Sequence, residues 1–398
     1  MLLEPEGKRV PTPRPDTGCG RPSSGALPTL GVEEEFFLAD RVTRATVARA
    51  PDVIARTRAD FRDHIGAELF TTTVETRTPP VTTLEDLRQQ LGALRADLVA
   101  AAAEADCKVV ASGTPVIPFP GPPEIADNAR YRRMADYYAP LVTGDRNTGV
   151  CACHVHVAVP GREEAVQLCN HLRPWLPTLQ ALAANSPFQD GRDSGFAGWR
   201  VLHFGRWPHA GPTPLFRDAT AYDTFVDTLV ASGMLLDRKL VYWYARPSER
   251  WPTLEVRVPD VNADLDTVLL VAALTRALAG TLLADVRRGR PAPEVDDALL
   301  RAAHWRAARD GLSGSGLDLT TGRLRPAVDL AARLIGRAAP LLEEAGELPF
   351  VRWVWQRLRQ RGGGAERQRA AYRRRGDLRD VVDLLSLDLE AGTAPVRP

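Results

Sequence analysis

Apolar positions in this chain follow two different periods. Up to about Asp260 short runs of apolar and β-branched residues alternate with period two and are stopped by Pro or Gly, the pattern of half-buried strands. Such runs are Thr29-Leu-Gly-Val-Glu-Glu-Glu-Phe-Phe-Leu38, Glu68 to Thr78 before Pro79-Pro80, Lys108 to Ser112, Thr148 to Val159, Lys239 to Ser248 and Trp251 to Asp260. Helical spacing interrupts them from Thr82 to about Ala105, where Leu84, Leu87, Leu91, Leu94 and Leu98 recur behind a threonine cap, and again at Asn128 to Tyr138, Arg162 to Ala184 and Ala219 to Leu236. Pro174 and Pro177 are expected to kink or split the third of these. From Ala263 the period is helical throughout: Ala263 to Arg288, Glu294 to Arg309, Leu324 to Ala345, Phe350 to Arg361 and Asp377 to Leu389. The pattern predicts a layered α and β fold, strand-rich over 29–260 and helical over 263–390.

Ionisable residues set into the apolar strands are the candidate chemistry. On a strand, Glu33 and Glu35 share one face and Glu34 points to the other, and buried ionised carboxylates require a partner or a cation. Two such groups suit Mg²⁺, which takes oxygen ligands beside phosphates. Glu75 sits in the better-formed part of its strand. Glu68, seven residues earlier, reaches the same site only through a bend near Thr71 to Thr73. His154 and His156 share a face of an apolar strand, and so do Glu255 and Arg257. One mixed or antiparallel sheet can project all of them from one concave face. Beside a metal and phosphate site, Glu255 would bind the cation and Arg257 would neutralise phosphoryl charge. Gly- and Pro-rich stretches at 185–214 and 362–369 suit loops that close over a site. Glu34, facing away, is the member of the triplet least involved.

Composition narrows the partners. Lys plus Arg number 51 against 50 Asp plus Glu, so no overall field favours nucleic acid or a membrane surface. Five cysteines with no secretory signal ahead of them argue for a reducing cytoplasm and against a disulfide framework. Cys151, Cys153 and Cys169 match no common structural zinc spacing and read as small buried side chains. The most apolar window, Leu265 to Val286, is interrupted by Asp266, Arg276 and Asp285 and is expected to be a buried helix rather than a membrane span. The first 28 residues, rich in Pro, Gly, Ser and Arg, are expected to be a disordered extension.

Six segments in order carry a resemblance: Gly-Val-Glu-Glu-Glu-Phe at 31–36, Cys-His-Val-His-Val at 153–157, Ala-Asn-Ser-Pro-Phe at 184–188, Trp-Pro-His-Ala-Gly-Pro at 207–212, Thr-Leu-Glu-Val-Arg-Val at 253–258 and Gly-Ala-Glu-Arg-Gln-Arg at 364–369. The chain resembles carboxylate-amine ligases of the glutamate-cysteine ligase type 2 family from about Thr29 to Val382. The resemblance implies an α+β, glutamine synthetase-like fold: a curved, mainly antiparallel sheet with a concave active-site face and helices packed outside, as one catalytic domain over 29–390. It implies ATP, Mg²⁺ or Mn²⁺, small-molecule acid and amine substrates, and amide formation through an acyl phosphate. Metal ligands are then expected at Glu33, Glu35, Glu75, His154 and Glu255. Catalytic roles fall on Arg257, Arg200 and His156, and cofactor contacts on Arg257, Gln368 and Arg369. A phosphagen-type guanidino kinase and a non-catalytic relative are the alternatives, and a homodimer is the commonest assembly to expect.

Overall fold

The computed structural model describes residues 27–122, 124–142 and 149–387, so the expected extension lies outside the described residues except for Leu27 and Pro28. Eleven strands form among the described residues: β1 (Leu30–Asp40), β2 (Ile65–Ala67), β3 (Thr73–Arg77), β4 (Cys107–Val110), β5 (Cys153–Ala158), β6 (Phe188–Gln189), β7 (Arg192–Asp193), β8 (Ala245–Pro247), β9 (Thr253–Val256), β10 (Ser315–Asp318) and β11 (Arg323–Pro326). Seven make one sheet in the order β2-β3-β1-β5-β9-β8, with β4 paired to the far end of β1. Every pairing in it is antiparallel. With helices filling most of the remaining chain, the architecture is α+β.

β1 is the hub because it is long enough to take two successive partners on one edge. Its first half pairs β5 from Leu30 to Glu34, its second half pairs β4 from Phe37 to Asp40, and β3 lies along the other edge. Alternation then sorts the side chains. Leu30, Val32, Glu34, Phe36 and Leu38 share a face, with Val155, Val157, Leu254 and Val256 buried beside the first of them. The Leu265–Arg287 helix packs on β1 and β5, and the helices Leu84–Glu104, Arg162–Leu172, Ala327–Glu344 and Leu348–Arg361 pack against it. The same apolar cluster runs from Leu30 to Leu358, so strand-rich and helical parts share one core.

Leu265–Arg287 is long and apolar enough to cross a membrane by length and composition, yet 83% of its most apolar window is buried inside the protein. Its polar interruptions are each paired: Asp266 with Arg88 and Arg357, Arg276 with Glu347, Asp285 with Arg290 and Arg337. Burial of a leucine side chain contributes roughly 1.5–3 kcal/mol, so this helix outweighs any other single element in the core. The Arg162–Ala184 stretch is split, as its prolines require, into Arg162–Leu172 and Leu176–Ala183. The structure also contains the β10–β11 ribbon, where helical spacing from Leu324 had suggested only helix; the helix begins at Ala327. Cys107, Cys151, Cys153 and Cys169 are buried free thiols, and burial raises the pKa of each.

Glu34, on the helix-facing side, is fully buried. Arg95 of the Leu84–Glu104 helix donates to both of its oxygens, at 2.9 and 2.5 Å, and to the carbonyls of Asn262 and Ala263. Removing one partner of a buried ion pair costs about 3–5 kcal/mol, and glutamine keeps one acceptor. Glu34→Gln is therefore expected to leave the opposite face intact but to lower stability by about 3 kcal/mol, read as a lower urea midpoint at unchanged slope. An unchanged midpoint would contradict this reading of the pair.

Candidate active site

The other sheet face is polar, and the antiparallel register determines which groups meet. Across the strands lie Arg77, Glu33 and His154 in one row, Glu75 and Glu35 in a second, and His156, Glu255 and Arg246 in a third. Directly opposed residues share a face and approach closely, so these rows condense into one cluster. His154 Nδ1 is 3.3 Å from Glu33 Oε2 and 3.7 Å from Glu255 Oε1, and its Nε2 is 3.8 Å from Glu35 Oε1. His156 Nε2 is 3.5 Å from Glu33 Oε2, while Nδ1 lies 3.1 Å from Thr253 Oγ1.

Glu68 enters by the bend that the sequence requires. β3 starts only at Thr73, and the preceding loop brings a Glu68 oxygen within 4.8 Å of oxygens from Glu35 and Glu75. Two further triads meet the same distance: Glu33, Glu75 and His154, and Glu33, His156 and Glu255. These donor sets are mostly hard oxygen with one imidazole in two of them, which suits Mg²⁺ or Mn²⁺. A further observation agrees. His156 Nε2 is buried within the carboxylates, and its contact with Glu33 Oε2 at 3.5 Å is too long and poorly directed for a well-formed hydrogen bond, so the atom is available to an ion.

Electrostatics divide the carboxylates into two groups. Burial and the neighbouring Glu68 push Glu35 up to about 8. Burial, then Glu33 and Glu68, hold Glu75 well above the usual carboxylate range, and burial raises Glu68 as well. At the other end burial is overcome. The adjacent imidazoles of His154 and His156 hold Glu33 low, and Arg246 and Arg257 hold Glu255 well below its ordinary value. Burial, aided by Arg257, lowers His154 to about 4. The Glu35–Glu68–Glu75 end thus has an excess of negative charge that protonation or a bound cation must relieve.

Arg257 follows β9 with its guanidinium against Glu255 and 5.6 Å from the Tyr242 ring centroid. Its Nε is buried without a hydrogen-bond partner among the described residues. Arg246, to which the sequence assigned no role, donates from Nε to Glu255 Oε2 at 2.7 Å. The signal was available: Arg246 and Glu255 are cross-strand partners in a hairpin. Above the sheet face lies a cavity of about 1030 Å³, walled by Arg130, Tyr131, Met134, Phe204, Trp207 and Tyr242 and by the β8–β9 turn.

Three expected contacts need correction. Arg200 borders the cavity but is committed to Asp260 Oδ1 at 2.6 Å and to the carbonyls of Arg257, Val258 and Pro259. It braces the end of β9 from the edge of the cavity. Gln368 is fully buried and donates to Asn185 O and Oδ1, and Arg369 pairs with Asp193 at 2.7 Å and with the Phe196 carbonyl. Neither reaches the cavity. The glycines at 362–364 serve close packing at the start of the Gly364–Arg373 helix, since a Cβ at Gly364 would collide with Asn185. Asn185 and Ser186 in turn bond Asp260 at 2.8 and 2.7 Å. The 184–188, 198–200 and 364–369 motifs therefore form one brace beneath Arg257.

Comparison with known proteins gives the class. The glutamate-cysteine ligase of Francisella tularensis, solved in complex with AMP, superposes with a TM-score of 0.64 at 13% identity over 91% of this chain and 88% of that one. The complex between prokaryotic ubiquitin-like protein and its ligase gives 0.51 at 13% identity, over 90% and 73%. These likenesses show the fold. The model of glutamate-cysteine ligase family 2 matches residues 29–384, and the chain belongs to that family, a family of ligases. Two relatives provisionally named glutamate-cysteine ligase 2 are similar over nearly their whole lengths. The one from Salinispora tropica is 46% identical, covering 92% of this chain and 96% of that protein. One from Saccharopolyspora erythraea is 45% identical, covering 89% and 93%.

A carboxyl whose folded pKa exceeds its unfolded value adds stability that is complete below the unfolded pKa and is lost as pH rises through the folded one. For Glu35 that window runs from 4.5 to about 8. His156, held above 6.5 by Glu33 and Glu255 against burial, has the same sign above that pH. His154, lowered to about 4, opposes it only below 6.5. Metal-free protein should thus lose thermal stability between pH 6.5 and 8, and Mn²⁺ should abolish the loss by giving the ionised carboxylates a partner. Melting temperatures measured in EDTA and in Mn²⁺ across this range test it; parallel curves would contradict it.

Proposed function

We propose that the protein is an ATP-dependent carboxylate-amine ligase that forms an amide through an acyl phosphate. The observation carrying this reading is the convergence, from four strands and one loop, of Glu33, Glu35, Glu68, Glu75, Glu255, His154 and His156 beside Arg257 on one cavity floor. Glu33, Glu35, Glu75, His154 and Glu255 would hold divalent cations, with Glu68 and His156 completing the donor sets. This moves His156 from the catalytic group to the cation-holding group. Bound there, the cations would neutralise phosphate charge and align a substrate carboxylate with the terminal phosphate.

The carboxylate oxygen attacks the γ-phosphorus and ADP leaves; the amine attacks the acyl carbon, phosphate leaves, and the amine gives up a proton. Arg257 serves the first step. Burial opposes its charge, but Glu255 and Glu35 outweigh burial and hold the guanidinium protonated. Arg246 fixes Glu255 from the other side, and the unpartnered Arg257 Nε remains to meet developing phosphoryl charge. The brace on Asp260 holds the backbone that carries Arg257. Phe204, Trp207 and Tyr242 exclude water that would hydrolyse the activated acid. Glutamate and cysteine are the substrate pair suggested by the names of the relatives.

Protein incubated with ATP, Mg²⁺, glutamate and a panel of amines should release ADP and free phosphate only when both an acid and an amine are present. Phosphate retained on an acceptor would indicate a kinase, and ADP release indifferent to the amine would contradict ligation. Arg257→Lys should lower kcat by about 10²-fold or more while the fold is retained, because a point charge replaces a planar donor. Activity within a few-fold of the parent would remove Arg257 from the proposed role.

A further inference from the structure

The turn from Ser248 to Pro252, joining β8 to β9, forms part of the cavity wall. At its tip Trp251 is 54% exposed, although most large apolar side chains of this protein are covered. The Arg250 guanidinium lies 4.7 Å from the indole centroid and makes no ion pair among the described residues. A single exposed tryptophan on a mobile surface loop would need no explanation. This turn is held at several points. Ser248 Oγ accepts from the backbone N–H groups of both Arg250 and Trp251 at 3.2 Å, and Thr253 N donates to Trp251 O at 2.7 Å. Glu249 is fixed by Arg162 at 2.7 Å and by Arg238 at 3.0 Å. An indole and an uncommitted guanidinium are thus presented together at the wall of the proposed site.

Placement and chemistry indicate what they would meet. From Trp251 the chain turns tightly, Thr253 N donating to Trp251 O, and enters β9, which leads to Glu255 and Arg257 on the same cavity wall. A purine offers a flat π face that stacks on an indole, and a guanidinium can both stack and face phosphate oxygens. We propose that Arg250 and Trp251 form the base-binding lip of the nucleotide site, Trp251 stacking on the purine and Arg250 covering the ring and first phosphate. The phosphates then follow β9 toward Glu255 and Arg257. This inference rests on the ATP-dependent reading above.

The test separates the base from the phosphates. Calorimetric titration of the full chain with Mn²⁺-ADP and with Mn²⁺-tripolyphosphate should show binding of both to the parent protein. Trp251→Ala should weaken ADP by ~10-fold or more, the size of one base stacked on an aromatic ring, and leave tripolyphosphate within about two-fold. Trp251→Phe should restore most of the ADP affinity, and Arg250→Ala should weaken ADP more than tripolyphosphate. Unchanged ADP binding by Trp251→Ala, or equal loss of both ligands, overturns the lip while leaving ATP dependence intact. Binding of neither ligand by the parent protein overturns the ATP reading and the lip with it.

Discussion

Negative charge gathered on one buried sheet face is the constraint on which the rest of this structure depends. Five glutamates share it with two imidazoles and the arginines Arg77, Arg246 and Arg257. In a low-dielectric setting such a set cannot remain fully ionised without a counter-charge. Arg246, Arg257 and the histidines satisfy Glu33 and Glu255, while the Glu35–Glu68–Glu75 end, with Arg77 alone among the described residues paired to Glu75 at 3.0 Å, remains in excess. The fold supports this imbalance with a large apolar core on the reverse face, where the Leu265–Arg287 helix packs against β1 and β5. Stability lies on one face of the sheet and chemistry on the other.

Three consecutive glutamates show how sharply the pleat separates the two. Glu33 and Glu35 enter the cluster, whereas Glu34 pairs with Arg95 in the core. A one-residue slip would turn Glu34 into the cluster and Glu33 and Glu35 into the apolar core, so register decides which carboxylates gather on the cavity floor. The Asp260 brace does comparable work for Arg257. It gathers Asn185, Ser186 and Arg200 to one carboxylate and locks Gln368 behind Asn185. Segments far apart in sequence thereby hold the strand end that presents the guanidinium.

Much of the floor was legible in sequence because strand alternation is local. Glu33, Glu35, His154, His156, Glu255 and Arg257 each announce their face by period two, and Glu68 needed only the bend before β3. Loop partners were not legible in the same way. Arg200, Gln368 and Arg369 look like phosphate contacts by composition, and only tertiary packing reveals that they bond Asp260, Asn185 and Asp193. The glycines at 362–364 suggested a closing loop, but Gly364 permits close approach to Asn185, and Gly362 and Gly363 lie against Glu366. Arg246 was overlooked because its role comes from a cross-strand partner nine residues away.

The most direct measurement is a crystal structure of the protein soaked with Mn²⁺ and a non-hydrolysable ATP analogue, with anomalous scattering used to locate the ions. The account predicts anomalous peaks at coordination distance, roughly 2.0–2.6 Å, from oxygens of Glu33, Glu35, Glu75 and Glu255 and from His154, with the terminal phosphate between them and Arg257. Anomalous density elsewhere, or a face whose carboxylates keep only one another and the arginines as partners at saturating Mn²⁺, would contradict it.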